Sequence, residues 1–533
     1  MLVLQVTPHL HGFWQDDVLH FSAVFQRRGE LPAALVRPFG TPMRLFYLLP
    51  YWLAYFTPRP LLALHAIHAF FWIAEALLAG WIARLLAPRR TFVRFAAIAL
   101  TLTATSDYLT NNLTPLGYHL AIVMLLVATG CGLRFRSSGG WPWLVLAVSS
   151  LTFSVWTVDL AFVAMPFLPL LLFLPSESSV DRIAERRRAL LLLAVCALAT
   201  APAAVREVQF LRDPHDYAAV AIQHLPLPQL AARAAHLCLE NFRPWRWVFT
   251  RPRFGARPSP VIPMSVQASL ALVAALAFFL RARSRPAESR SSMTTLRFAV
   301  LFVLMACVFN VLYARLQMAD VHNRTHLMSR VWASLAIAFA AGWARDRWPG
   351  SRVAIHILLA LFIGFGAWGG IERQDLFLGA WRRHQRELAS ILDAVPRFRP
   401  GTQLVLRSGN TSFYMATEAD YLANCWLRLF YDEPFRLVRL SPKRPDRCRS
   451  TPAGLECTRE TRFAPEPVHV DYATMIVLDY DEATGRYTLL PTLQGDPLGA
   501  GGEGAEAAYQ PRSLIEDDVR SMEHRSAWQS MSP

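Results

Sequence analysis

The segment His11-Gly12-Phe13-Trp14-Gln15-Asp16-Asp17 sets two carboxylates side by side, flanked by aromatic residues. Adjacent carboxylates repel, which splits their pKa values. One of them could serve as a general base, or the two could share a magnesium or manganese ion. The pair equally suits a helix N-cap with an acidic first turn ahead of residues 18–26. Further along, Asp107, Asp159, His322, Arg324 and His326 border apolar runs. An arginine fork grips phosphate through two parallel hydrogen bonds. Acids combined with Arg and His therefore suit a reaction on a phosphorylated substrate. His65, His68 and Glu75 lie inside one apolar run, with His65 and His68 at i, i+3 on one face. Ionisable groups in such a run are functional candidates if the run crosses a membrane. Interhelical hydrogen bonding is the favoured account of His68 and Glu75, and His65, nearer the outer end, is the better site candidate.

The elements that must hold these residues follow from composition. Hydrophobic residues make up 53% of the 533 and charged residues 17%, against about 25% in ordinary soluble chains. Disordered and coiled-coil chains are excluded. The apolar residues gather into ten runs, near 60–87, 92–108, 115–134, 142–158, 160–175, 188–205, 264–280, 296–318, 327–345 and 352–370. A spanning helix needs about 20 such residues. The chain reads as an α-helical polytopic membrane protein of about ten spans.

The net charge of +15 does not point to nucleic acid. Most of the arginine sits in short loops: Arg84 to Arg94, Arg134 and Arg136, Arg182 to Arg188, Arg281 to Arg290, Arg345 and Arg347. The alternate short loops carry Asp107, Asp159 and residues 320–326, with Arg324 their one arginine. Positive loops stay in the cytoplasm, and long loops such as 206–263 cross largely regardless of charge. Asp16, Asp17, Asp107, Asp159, His322, Arg324 and His326 then share the outer face of a bacterial cytoplasmic membrane, with His65 nearest to them in its run. Residues 43–56 are apolar but short, between Pro42 and Pro58. They are expected to lie on the outer surface as an interfacial helix. The N-terminus then begins outside, as if a preceding span were missing from this start.

After 370 the pattern changes. Gln403-Leu404-Val405-Leu406 and Met475-Ile476-Val477-Leu478 read as strands, and 381–392 as a helix. The expected organisation is a membrane domain over 1–374 with outer loops 1–59 and 206–263. A small extracytoplasmic α/β or α+β domain follows over 375–494, and an unstructured tail over 495–533. The glycine run in that tail lacks the Lys-Ser/Thr of a phosphate-binding loop. Seven cysteines form no framework and no CxxC pair for zinc. Cys448 and Cys457 are close enough to close a short loop in an oxidising compartment, though Cys425 could take either partner.

With these residues set out, the chain resembles the bacterial branch of the GT-C superfamily, polytopic glycosyltransferases that use polyprenyl-phosphate sugars. The resemblance rests on Phe13-Trp14-Gln15-Asp16-Asp17, the segment 42–56, the helix with His65, the acid Asp159, and Asn323-Arg324-Thr325-His326-Leu327-Met328-Ser329-Arg330. It implies a many-helix fold with its site at the outer face and inverting transfer to an acceptor hydroxyl. Asp16 or Asp17 would be the base and Asp159 a second acid. Arg324 would hold the lipid phosphate, with His326, His65, Asp107 and His322 lining the substrate site. The partners implied are a polyprenyl-phosphate-linked sugar, membrane lipid, and a glycan, lipid or protein acceptor. The family's usual span before the acidic loop is absent here, and 375–490 matches none of its catalytic modules. Two other functions suit the same features: a transporter or flippase for lipid-linked glycans, and a non-catalytic envelope assembly subunit.

Overall fold

The computed structural model describes residues 24, 45–104, 116–158, 161–162, 167–174, 182–212, 225–243, 262–283, 293–313, 325–407, 427, 431, 436–440, 448–460, 465–481, 483–494 and 503–516. A short helix, α1 (Leu49–Tyr55), comes first, followed by α2 (Pro60–Leu86), α3 (Thr91–Thr103), α4 (Leu116–Ser138) and α5 (Trp141–Thr157). Next are α6 (Phe167–Phe173), α7 (Arg182–Arg212), α8 (Leu227–Glu240), α9 (Met264–Arg283), α10 (Met293–Tyr313), α11 (Thr325–Arg347) and α12 (Arg352–Ala394).

Every apolar run of the sequence carries a helix, but not every helix reaches spanning length. Among the described residues six are long and apolar enough: α2, α4, α7, α9, α11 and the Pro349–Asp375 stretch that leads into and includes the start of α12. The apolar helices Thr91–Thr103 and Trp141–Thr157 are shorter, and α10, 21 residues long, is apolar over Met293–Phe309. The run near 160–175 is described as a helix only over the 7 residues of α6, about 10 Å of rise. The chain is therefore a multi-pass membrane protein; about ten spans were expected, and six helices meet both length and hydropathy among the described residues.

Packing separates the helices into inner and outer ones. Helix α4 is buried along almost its whole length, from Leu116 to Arg136. Helix α9 instead turns Leu272, Val273, Leu276 and Leu280 outward, and α7 does the same with Leu190 and Leu198. A belt of exposed aliphatic side chains this long is stable only against lipid. Close approach inside the bundle needs glycine at one crossing in particular. A Cβ on Gly366 of α12 would lie 2.2 Å from the Thr103 carbonyl oxygen of α3.

The two ends of the bundle differ in chemistry. At one end Arg90 pairs with Asp346, and the Arg345 guanidinium lies 4.5 Å above the Phe92 ring. There too, Arg136 donates to the Leu172 and Leu174 carbonyls, both at 2.9 Å. Arg188 donates to the Arg136 and Ser137 carbonyls at 3.2 and 3.1 Å. At the opposite end, Leu45 N–H donates to the Trp156 carbonyl at 2.9 Å, and Tyr47 meets Tyr118 edge-on at 5.8 Å. The segment 45–56 thus packs on the opposite end as a short helix, with Tyr51 and Trp52 buried, and does not cross. Asp375 accepts from the Ile262 N–H at 2.6 Å at that end as well.

Helix α12 departs from the sequence reading. A span at 352–370 and a separate helix at 381–392 are one helix of 43 residues. Polar Glu372 to Asp375 suggested a boundary, but polarity does not break a helix; proline does, and 371–380 holds none. The boundary at 374/375 falls inside this helix. Its last part carries a sheet. Strands β1 (Gln403–Arg407), β2 (Arg436–Leu440), β3 (Cys448–Thr451), β4 (Gly454–Glu460), β5 (Pro465–Asp471), β6 (Met475–Asp481) and β7 (Arg486–Leu489) form two sheets, β2-β1-β6-β7 and β3-β4-β5. Strand β1 runs parallel to both β2 and β6, with Gln403 opposite Arg436 and Met475. The period-two alternation sends Leu404, Leu406, Ile476 and Leu478 into the core of α12 with Leu388 and Ile391. Val405, Val438, Met475 and Val477 face the other way, onto Leu455, Val468 and Val470. Burial pushes the His384 imidazole of α12 down to about 3, so it sits neutral in this layer at pH 7.

Cys448 and Cys457 face each other across the β3–β4 ladder and are disulfide-bonded, with Cα atoms 4.0 Å apart. Cys425 lies outside the described residues. Part of the compositional tail is folded: α13 (Glu503–Ala508) and a 3-10 turn at Pro511–Leu514 close on the sheet. Tyr509 is the anchor, donating to the Leu490 carbonyl at 2.8 Å. Low complexity near 500 concealed the tyrosine and Ala505 that pack there.

Candidate functional site

Helix α2 places His68, Trp72 and Glu75 on one face, at spacings of four and three. All three are buried, Glu75 completely. A lone buried carboxylate would be costly, so partners must come from neighbouring helices. Helix α4 supplies His119, whose Nδ1 lies 2.7 Å from Glu75 Oε1. With Glu75 ionised, that contact puts a proton on Nδ1. Helix α11 supplies Arg330, whose guanidinium donates to Glu75 Oε2. The same guanidinium stacks over Trp72, 4.1 Å from the ring centroid. It also reaches the carbonyls of Thr101 and Ala104 at 3.4 Å each. Those are carbonyls at the C-terminal end of α3, where a helix leaves acceptors unsatisfied and favours a cation. The Trp72 indole donates to the Leu102 carbonyl at 3.0 Å, and the His68 ring lies 4.9 Å from that of His119.

This knot joins the middle of α2 to the ends of α3, α4 and α11 that lie opposite the arginine-rich end. It is wholly buried, so it binds elements together and presents no reacting group to a substrate. Its consequence lies in what it anchors. Ala104 stands three residues before Asp107, and Arg330 six residues after Arg324. Ser154 of α5 donates to the Ala121 carbonyl of α4 at 2.7 Å, which brings the α5 end that leads to Asp159 alongside.

The sequence candidates fall as follows. Asp16, Asp17, Asp107, Asp159, His322 and Arg324 lie outside the described residues. His326 stands in the first turn of α11, and its side chain lies outside them too. His65 is buried on α2. Glu75 is hydrogen-bonded between helices, to His119 and Arg330, and the His68 ring packs against that of His119. Sequence reasoning missed His119 and Arg330 as their partners. One signal was present: an acid and a base each inside an apolar run call for one another. Among the described residues no group of three or more His, Cys, Asp or Glu could hold a metal ion. The pair that could hold magnesium or manganese, Asp16 and Asp17, lies outside them.

Between α4, α5, α6 and α7, Thr129, Gly132, Leu151, Leu172, Leu192 and Cys196 line a small apolar cavity of about 20 Å³. It holds no ionisable pair and offers packing space only. No family model matches the chain, and no curated protein is similar to it in sequence. Among solved structures, the crystal structure of ArnT from Cupriavidus metallidurans in the apo state is similar over 90% of this chain and 91% of that one, with 13% identity and a TM-score of 0.39.

Proposed function

We propose that this multi-pass membrane protein is a glycosyltransferase of the GT-C kind. It moves a sugar from a polyprenyl-phosphate donor to an acceptor hydroxyl at the extracytoplasmic face of a bacterial cytoplasmic membrane. The observation that carries the reading is the Glu75–Arg330–His119 knot. It ties together the helix ends from which the loops bearing Asp107, His322 and Arg324 depart, at the end of the bundle poor in arginine. In this reading Asp16 or Asp17 takes the proton of the acceptor hydroxyl. The freed oxygen attacks the anomeric carbon from the face opposite the phosphate, and the polyprenyl phosphate leaves. Arg324 meets the charge that builds on the leaving phosphate, and Asp159 orients the acceptor.

The test is transfer of labelled sugar from a polyprenyl-phosphate donor in membranes holding the full chain. Replacing whichever of Asp16 and Asp17 is the base with Asn should lower turnover about 10²–10⁴-fold. Arg324→Ala should weaken donor binding and rate together, and Arg324→Lys should recover only part, since a point charge lacks the fork. Normal transfer by the Asp16→Asn/Asp17→Asn double variant would make the pair a helix cap and remove the catalytic assignment.

A further inference from the structure

The chemistry proposed above makes no use of Cys238 and Cys307. Cys238 lies on α8, within the long loop between α7 and α9, and Cys307 lies on α10 towards the end where α8 packs. Ala234 and Leu237 bury the contact face of α8. On that face the Cys238 thiol reaches Cys307: its sulfur lies 3.5 Å from the Cys307 carbonyl oxygen, which places the two cysteines side by side across the α8–α10 contact. Both are thiols here, and both are half-buried. Cys131 and Cys196, by contrast, are buried as small apolar residues. Three residues beyond Cys238, Asn241 accepts a hydrogen bond from Ser329 at 2.7 Å, in the turn of α11 that precedes Arg330.

We propose that Cys238 and Cys307 are a dithiol modification site, oxidised to a disulfide by a disulfide-carrying oxidoreductase of the extracytoplasmic compartment. One thiolate attacks the oxidoreductase disulfide to give a mixed disulfide, and the other displaces the oxidoreductase. Two S–H bonds break and one S–S bond forms; two electrons and two protons leave the pair to convert the oxidoreductase disulfide to a dithiol. The bond tethers α8 to α10 and, through Asn241 and Ser329, steadies the start of α11 beside the buried knot. The proposal rests on the outer placement of α8 in the proposed function. The Cys448–Cys457 disulfide, assigned to the same compartment, reports that placement separately.

The experiment uses the full chain in membranes from cells with intact extracytoplasmic thiol oxidation. Free thiols are blocked with N-ethylmaleimide in denaturant, disulfides are then reduced, and the released thiols take a second alkylating label. Peptide mass spectrometry reads each cysteine. Cys238, Cys307, Cys448 and Cys457 should carry the second label, and Cys131 and Cys196 the first. Cys238→Ser should move Cys307 to the first label and leave Cys448 and Cys457 unchanged. First label on Cys238 and Cys307 with second label on Cys448 and Cys457 overturns the proposal while the outer placement stands. First label on all four overturns both. Continued protection of Cys307 in Cys238→Ser means another partner, and also overturns it.

Discussion

Arg330 has few ways to be accommodated inside a helix bundle. It is desolvated against Trp72 and satisfied by Glu75 and two carbonyls. Removing one partner of a buried pair leaves the other charge exposed to low dielectric, at a cost of about 3–5 kcal/mol. Glu75→Leu and Arg330→Met should each lower the thermal stability of the detergent-purified protein sharply. The double variant Glu75→Leu/Arg330→Met should be more stable than either single one, because no charge is then stranded. A double variant as unstable as the sum of the singles would mean the two side chains do not act as a pair. Because the pair is so buried, these effects fall on stability first.

At the scale of elements, the crossing of α3 and α12 depends on the missing side chain of Gly366. A methyl group there meets Thr103 backbone, which cannot swing aside as a flexible side chain would. Gly366→Ala should destabilise the fold by about 1–3 kcal/mol, the usual range for overpacking. Gly350→Ala, with nothing within 4 Å of the added carbon, should melt as the parent does. Equal melting of the two variants would sink this account of the crossing. Such crossings were invisible in the sequence, where the apolar runs were plain. Hydropathy locates a run, but only packing says which face meets a neighbour. Strands β1 and β6 were legible for the same reason as the helices, since Leu404 to Leu406 and Met475 to Leu478 form short apolar runs between polar stretches. Their parallel pairing was not, because it joins residues some 70 positions apart. The Cys448–Cys457 bond was legible from proximity in the chain. The approach of Cys238 to Cys307, the pairing of Glu75 with Arg330, and the anchor at Tyr509 all required tertiary contact. As for the acidic pair at 16–17, sequence alone still carries its assignment.

For the whole molecule, the direction of each helix is the governing variable. The arginine pairs at Arg90, Arg136 and Arg345 collect at one end, and Asp375 stands at the other, with the two sheets beyond it. Arginine-rich ends stay in the cytoplasm. A reporter that matures only outside the cytoplasm, fused after residue 516, should therefore be active. A cytoplasm-only reporter that works at the same position would invert the orientation and with it the side of the proposed reaction. The unbroken course of α12 has a mechanical consequence. From Asp375 to Ala394 the helix climbs about 28 Å at 1.5 Å per residue, with no hinge along the way. The sheets therefore ride on a mast of set height. A partner held by the sheets would be held at one set distance along the helix from Asp375.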